Sequence, residues 1–204
     1  MTFVKICGLS TPEHVEAAVQ AGASMIGFVF AESKRRVSVE LAQQLAALIP
    51  SDVKKVGVFV NSDADTIHHI YNSVPLDYVQ YHGDETNEFI QSVGLPAIKA
   101  FSIHSAVDAQ QAASYDVDYY LCDTPGTDFR GGSGHTFDWS LLQGSGIDSS
   151  KLIVAGGLHA GNVVQAITTT HAAGVDVSSG VERDGVKDST LITQFISTVK
   201  GARI

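Results

Sequence analysis

The chain has 204 residues, 44% hydrophobic and 17% charged, a balance that suits a folded globular protein and excludes an intrinsically disordered one. Twenty-two acidic residues outweigh 13 basic ones to give a net charge of -9, which excludes nucleic acid and an anionic membrane surface as main partners, since both need concentrated positive charge. No run reaches the ~20 apolar residues of a membrane-spanning helix, and Cys7 and Cys122 form no CxxC pair, so a reduced, cytoplasmic protein is expected.

Residues 3–6 read as a first strand, entered from an N-terminus without a signal-peptide layout and ending at Cys7-Gly8. A cysteine beside a strand is most often a small buried hydrophobe, but a thiol serves as a general base where its surroundings favour the thiolate. Lys5 is not expected to be its partner by adjacency, because neighbouring strand residues face opposite ways. Ser10-Thr11-Pro12-Glu13 opens a helix over 12–21 with a hydroxyl cap and an early proline, and Gly22 stops it. A second strand over 25–30 leads to the basic run Lys34-Arg35-Arg36. There an arginine either stands in solvent or grips a carboxylate through two bonds. Ser38 caps a helix over 39–49 that Pro50 ends.

Strands over 55–60, 78–81 and 97–101 follow, the first two ending at Asn61 and His82-Gly83, with helices over 64–73 and 85–93 between the three. The stretch 104–114 is a weaker pattern, read as a short or irregular helix. A sixth strand over 118–122 ends at Asp123. A carboxyl at an apolar strand's mouth is held protonated by desolvation and becomes a usable acid near neutrality; a turn or cap carboxylate is the equal alternative. Cys122 is expected to pack in the core or against a helix. The glycine-rich segment 126–134 suits a loop that closes over a ligand, or a plain surface connection.

Helical patterns then cover 139–142, 160–169 and 190–199, and strands 152–155 and 175–177. The last two strands end in Gly156-Gly157 and Ser178-Ser179-Gly180. Either alone is turn chemistry, but paired they offer backbone N–H groups to a phosphate. The eight histidines show no ligand spacing, so no metal is expected. Eight strands alternating with helices imply an α/β fold, a single compact (β/α)8 barrel over residues 1–204 with one helix truncated. An open doubly wound sheet is the alternative the same alternation allows.

Together these strand ends resemble the phosphoribosylanthranilate isomerase family. The shared motifs are KICG at 5–8, GFVF at 27–30, SKRRVS at 33–38, VGVFVN at 56–61, VQYHG at 79–83, Asp123-Thr124, GGSGHTFDW at 131–139, AGGL at 155–158 with Asn162-Val163, and VDVSSGVE at 175–182. Tyr81 departs from the family's usual leucine, a change expected to be tolerated near the barrel rim. The resemblance implies an Amadori rearrangement of a small phosphosugar, N-(5-phosphoribosyl)anthranilate, in tryptophan biosynthesis, without cofactor. It implies Asp123 as the general acid at the ring oxygen and Cys7 as the base at C2. Arg35, selected over Arg36 by alignment through Ser33 and Ser38, binds the anthranilate carboxylate. His82 and Asp176 line the pocket, and Gly157, Ser179 and Gly180 contact phosphate. A monomer or weak homodimer is expected.

Three other readings compete. The related histidine-pathway isomerase has an aspartate where Cys7 stands, and tryptophan synthase α-type barrels use paired acidic residues with no match here. A non-catalytic phosphosugar-binding barrel usually lacks the acid or the base.

Overall fold

A computed structural model describes residues 2–124 and 136–202. The strands are β1 (Phe3–Cys7), β2 (Met25–Val29), β3 (Lys54–Phe59), β4 (Tyr78–Tyr81), β5 (Ala97–Ser102), β6 (Tyr119–Asp123), β7 (Leu152–Val154) and β8 (Gly174–Val177). All eight run parallel and close in chain order into a (β/α)8 barrel, with β8 pairing back onto β1 through Lys5↔Asp176. The open-sheet alternative is thereby removed.

The two-residue period of a strand divides the side chains between two cores. Val4, Ile6, Ile26, Phe28, Val79 and Cys122 point outward and pack under the helices. Met25, Val56, Ile98, Leu121 and Ile153 fill the barrel, with Phe3, Tyr78 and Tyr119 packed against them in edge-to-face contacts. Along β1 the inward series runs Phe3, Lys5, Cys7; along β6 it runs Tyr119, Leu121, Asp123. These two strands thus spend their first inward position on packing and their last on a thiol or a carboxyl, which brings Cys7 and Asp123 to the C-terminal mouth of the barrel.

The helices are α1 (Pro12–Ala21), α2 (Val39–Ala46), α3 (Ala64–Ser73), α4 (Asn87–Val93), α5 (Ala106–Ala112), α6 (Val163–Thr170) and α7 (Ser189–Gly201). Thr11, Ser38, Asp63, Thr86 and Asp188 cap α1, α2, α3, α4 and α7 through their side-chain oxygens. Several limits differ from expectation. Helix α2 stops three residues short of 49. Helix α4 begins at Asn87, leaving Glu85 outside it and buried. Helix α5 is short but regular, closed by a reciprocal capping box between Ser105 and Asp108. Residues 139–142 form a single 3-10 turn, Trp139–Leu142, in place of an α-helix. The proposed closing loop at 126–134 lies outside the described residues.

Two features were not expected. A short antiparallel hairpin, β9 (Glu182–Arg183) and β10 (Val186–Lys187), follows β8. Tyr81 is not at the rim: it points outward from β4, is fully buried beside Phe89, and its hydroxyl has no hydrogen-bond partner among the described residues.

Candidate active site

Cys7 ends β1 and is buried. Its inward neighbour on the same strand is Lys5, two residues back, so the two share a face. Contrary to expectation, Lys5 is the thiol's neighbour, because only odd separations along a strand put side chains on opposite faces. The thiol and the ammonium meet over the bare backbone of Gly27 on β2, where a Cβ would stand 2.9 Å from Cys7 Sγ and 3.1 Å from Lys5 Nζ. Lys5 is wholly buried and donates to Asp176 Oδ1 at 2.7 Å across the β1–β8 register.

The electrostatics follow from this packing. Burial pushes the Cys7 thiol above its ordinary value; Lys5 and Lys187 pull it down and Asp176 pushes it further up. Burial opposes the charge on Lys5, but the Asp176 carboxylate and the Cys7 sulfur outweigh it and hold the ammonium above its usual range. Asp123, buried at the end of β6, is pushed up to about 7 by burial and by the charge of Asp176, against the Thr124 N–H that donates to its Oδ1 at 2.7 Å. Cys7 and Asp123 thus answer to the same two neighbours, Lys5 and Asp176. Cys122, by contrast, lies in the outer core and is pushed up to about 12 by burial.

His82 follows β4 with Nε2 3.7 Å from Asp123 Oδ2, and its Nδ1 is 3.0 Å from Gln80 Nε2. Its loop is held by Glu85, which accepts from the Asn61 and Gly83 N–H groups at 2.7 and 2.9 Å and from Lys99 Nζ at 3.1 Å. Lys99 also donates to the Gly83 carbonyl at 2.8 Å. This buried clamp ties the ends of β3, β4 and β5 together. Sequence reading placed Glu85 inside a helix and so missed it. Above the clamp a hollow of about 530 Å³ opens, lined in part by His82, Lys99, Ser102, Tyr115 and Asp123.

A second recess lies between β7 and β8, walled by Asp123, Asp176, Gly156, Gly157 and Ser178 to Gly180. It meets the larger hollow at Asp123. Gly156, at φ 83, takes a conformation L side chains rarely adopt, and a Cβ there would stand 2.5 Å from the Thr124 backbone nitrogen and 2.7 Å from Asp123 Oδ1. Ser179–Val181 forms a 3-10 turn whose leading N–H groups have no partner within it. The two glycine-rich ends therefore border one recess.

Arg35 is turned inward while Arg36 is exposed. Its stem crosses Gly8, at φ 77, with Cδ 2.7 Å from the point a Cβ would occupy. Its Nε and Nη2 donate to Glu182 Oε1 and Oε2 at 2.6 and 2.9 Å. Lys187, also buried, donates to Glu182 Oε1 at 2.7 Å and to Ser178 O and Oγ at 2.8 and 3.1 Å; Ser178 Oγ in turn donates to the Cys7 carbonyl at 3.2 Å. Glu182 closes the VDVSSGVE motif and was given no role from sequence; Lys187 carried no signal at all.

A family model described as N-(5'phosphoribosyl)anthranilate (PRA) isomerase matches residues 4–198. A Streptococcus gordonii protein called N-(5'-phosphoribosyl)anthranilate isomerase is 49% identical over 200 residues, 98% of each chain. The crystal structure of phosphoribosyl anthranilate isomerase from Thermotoga maritima superposes with a TM-score of 0.90 at 37% identity, over 99% of this chain and all of that one. A phosphoribosyl anthranilate isomerase in complex with reduced 1-(o-carboxyphenylamino)-1-deoxyribulose 5-phosphate matches with a TM-score of 0.87 at 36% identity, with the same coverage.

Proposed function

The chain belongs to the N-(5'-phosphoribosyl)anthranilate isomerase family, and on that premise we propose that Cys7 and Asp123 are the base and the acid of its reaction. It converts N-(5'-phosphoribosyl)anthranilate to 1-(2-carboxyphenylamino)-1-deoxyribulose 5-phosphate, an aldose-to-ketose isomerisation in tryptophan biosynthesis. The conversion needs one proton given to the ribose ring oxygen and one taken from C2. Asp123 gives the first; the ring opens to a Schiff base and the carboxylate is left behind. The Cys7 thiolate takes the second, the C2–H electrons move toward the Schiff-base nitrogen, and the resulting enolamine tautomerises to the ketone.

The observation that carries this reading is the shared pair Lys5–Asp176 against which both groups stand. It couples the two protonation states: on each group the Lys5 ammonium favours the ionised form and the Asp176 carboxylate the protonated form, so the acid and the base answer to one shared pair. Gly156, Gly157, Ser178, Ser179 and Gly180 hold the phosphate at a distance from the reacting carbons, where binding energy positions the sugar for both transfers. The N–H groups of Arg35 that Glu182 leaves unused take the anthranilate carboxylate. His82 lines the acid's side of the mouth. The eight strands close into one barrel, which supports a single domain, and a monomer or weak homodimer goes with this reading; two unpaired thiols suit a cytoplasmic setting.

Cys7→Ala and Asp123→Asn should each lower kcat by about 10²-fold or more with unchanged circular dichroism. Turnover near the wild-type rate in either variant removes that residue from the mechanism.

A further inference from the structure

Glu182 touches neither the reactive pair nor the phosphate recess, yet its carboxylate, 5% exposed, carries three cations. Arg35 and Lys187 bond to it at 2.6 to 2.9 Å, and Lys34, itself 60% exposed, stands at 3.5 Å. A lone buried acid needs one partner to offset desolvation. Two hydrogen-bonded cations on one carboxylate, Lys187 buried and Arg35 half-buried, are more than pairing requires, and the excess calls for an explanation.

Two consequences follow from the geometry. A guanidinium held through both Nε and Nη2 has its plane fixed. The donors left over, on Nη1 and the second hydrogen of Nη2, point away from Glu182, and the stem crosses Gly8, directly after Cys7. The second consequence concerns charge. Arg35 and Lys187, the two cations that hydrogen-bond to Glu182, leave one surplus positive charge between them, which a single carboxylate would cancel. Burial raises the Glu182 pKa, but the hydrogen bonds and charges of Arg35 and Lys187 hold it down to about 2.

We infer that Glu182 is a positioning residue that sets selectivity for a substrate bearing a carboxylate on its aromatic amine, by aiming Arg35 and trimming the local charge to one unit. This rests on the reading of Arg35 as the ligand of that carboxylate. Lys187 extends the same network to Ser178 and, through its hydroxyl, to the Cys7 carbonyl. The carboxylate end, the phosphate end and the base therefore share one frame.

The test is calorimetric binding of two stable ligands, reduced 1-(o-carboxyphenylamino)-1-deoxyribulose 5-phosphate and its phenylamino counterpart without the carboxylate. The proteins are the wild type, E182Q, E182D and R35A. E182Q should weaken the carboxylate-bearing ligand by about tenfold or more and the other by no more than about twofold. E182D keeps the charge on a shorter stem that cannot reach both cations, and should fall between E182Q and the wild type. It decides the matter if E182Q does not fold. Equal losses for both ligands would reduce Glu182 to a structural support, and tighter binding of the carboxylate by E182Q would make it a competitor; either outcome overturns the inference. Loss of selectivity in R35A but not in the Glu182 variants sinks the role of Glu182 alone. Retained selectivity in R35A sinks the reading of Arg35 and the inference with it.

Discussion

Asp123 and Cys7 both resist ionisation because water is largely excluded from each, and this has a consequence for the pH dependence of catalysis. The acid must carry its proton and the base must have lost its own. Yet the carboxyl is pushed up to about 7 while the thiol is pushed above its ordinary value, so the carboxyl ionises first. The productive arrangement is then a minority microstate of the singly ionised pair. Below pH 7 the share of productive molecules rises with pH; between the two ionisations it is level; above the thiol's value it falls. For the free enzyme, kcat/KM should therefore climb with a midpoint near pH 7, level off above it, and decline only beyond the ordinary thiol range of ~8.5. The rising limb belongs to the acid, the reverse of the usual assignment. A rising limb centred near pH 4 would mean that Asp123 is an ordinary carboxylate and not the proton donor proposed.

At the scale of elements, β1 and β8, which close the barrel, are joined by a buried ion pair where Lys5 faces Asp176 in register. Removing one member of a buried pair leaves an uncompensated charge, whereas removing both does not. Lys5→Met should lower unfolding free energy by about 3–5 kcal/mol in urea titrations, and Lys5→Met/Asp176→Asn should recover most of that loss. If the double variant is no more stable than the single one, the pair is not coupled as the geometry requires. The strands themselves were legible because runs such as Met25-Ile26-Gly27-Phe28-Val29 and Leu152-Ile153-Val154 are apolar throughout, as strands covered on both faces must be. So were their reactive ends, which close each run with Cys7, His82, Asp123 or a glycine pair. Helix α5 was harder: it buries only Ala109 and Ala112, so no stripe of large apolar side chains marks its period, and its cap at Ser105 and Asp108 is the better signal. The Arg35–Glu182 contact joins residues 147 apart, and no local pattern announces such a pairing.

For the molecule as a whole, the site is a place where stability has been given up. Asp123 ionises near ~4 in an unfolded chain and at about 7 in the folded one. The unfolded state therefore loses its proton first as pH rises. Stability associated with this group is fully present below pH ~4 and drains away through pH 7, at about 1.4 kcal/mol per unit of separation, or a few kcal/mol in total. Glu182 works in the opposite direction: held down to about 2 when folded, it contributes stability above its unfolded value that is lost only as pH falls through the acid range. Between pH 5 and 8 the Glu182 contribution is constant, so the Asp123 contribution is read there from the difference between the parent and a variant that cannot ionise at this position. Asp123→Asn keeps a side-chain oxygen to accept the Thr124 N–H, at 2.7 Å in the parent, but carries no ionisable proton. Measured by urea unfolding, the variant should match the parent within about 1 kcal/mol at pH 4.5 and exceed it by a few kcal/mol at pH 8. A constant difference across that range would place the Asp123 carboxyl in a wetter, less constrained setting than its burial implies, and the acid assignment would lose its physical basis.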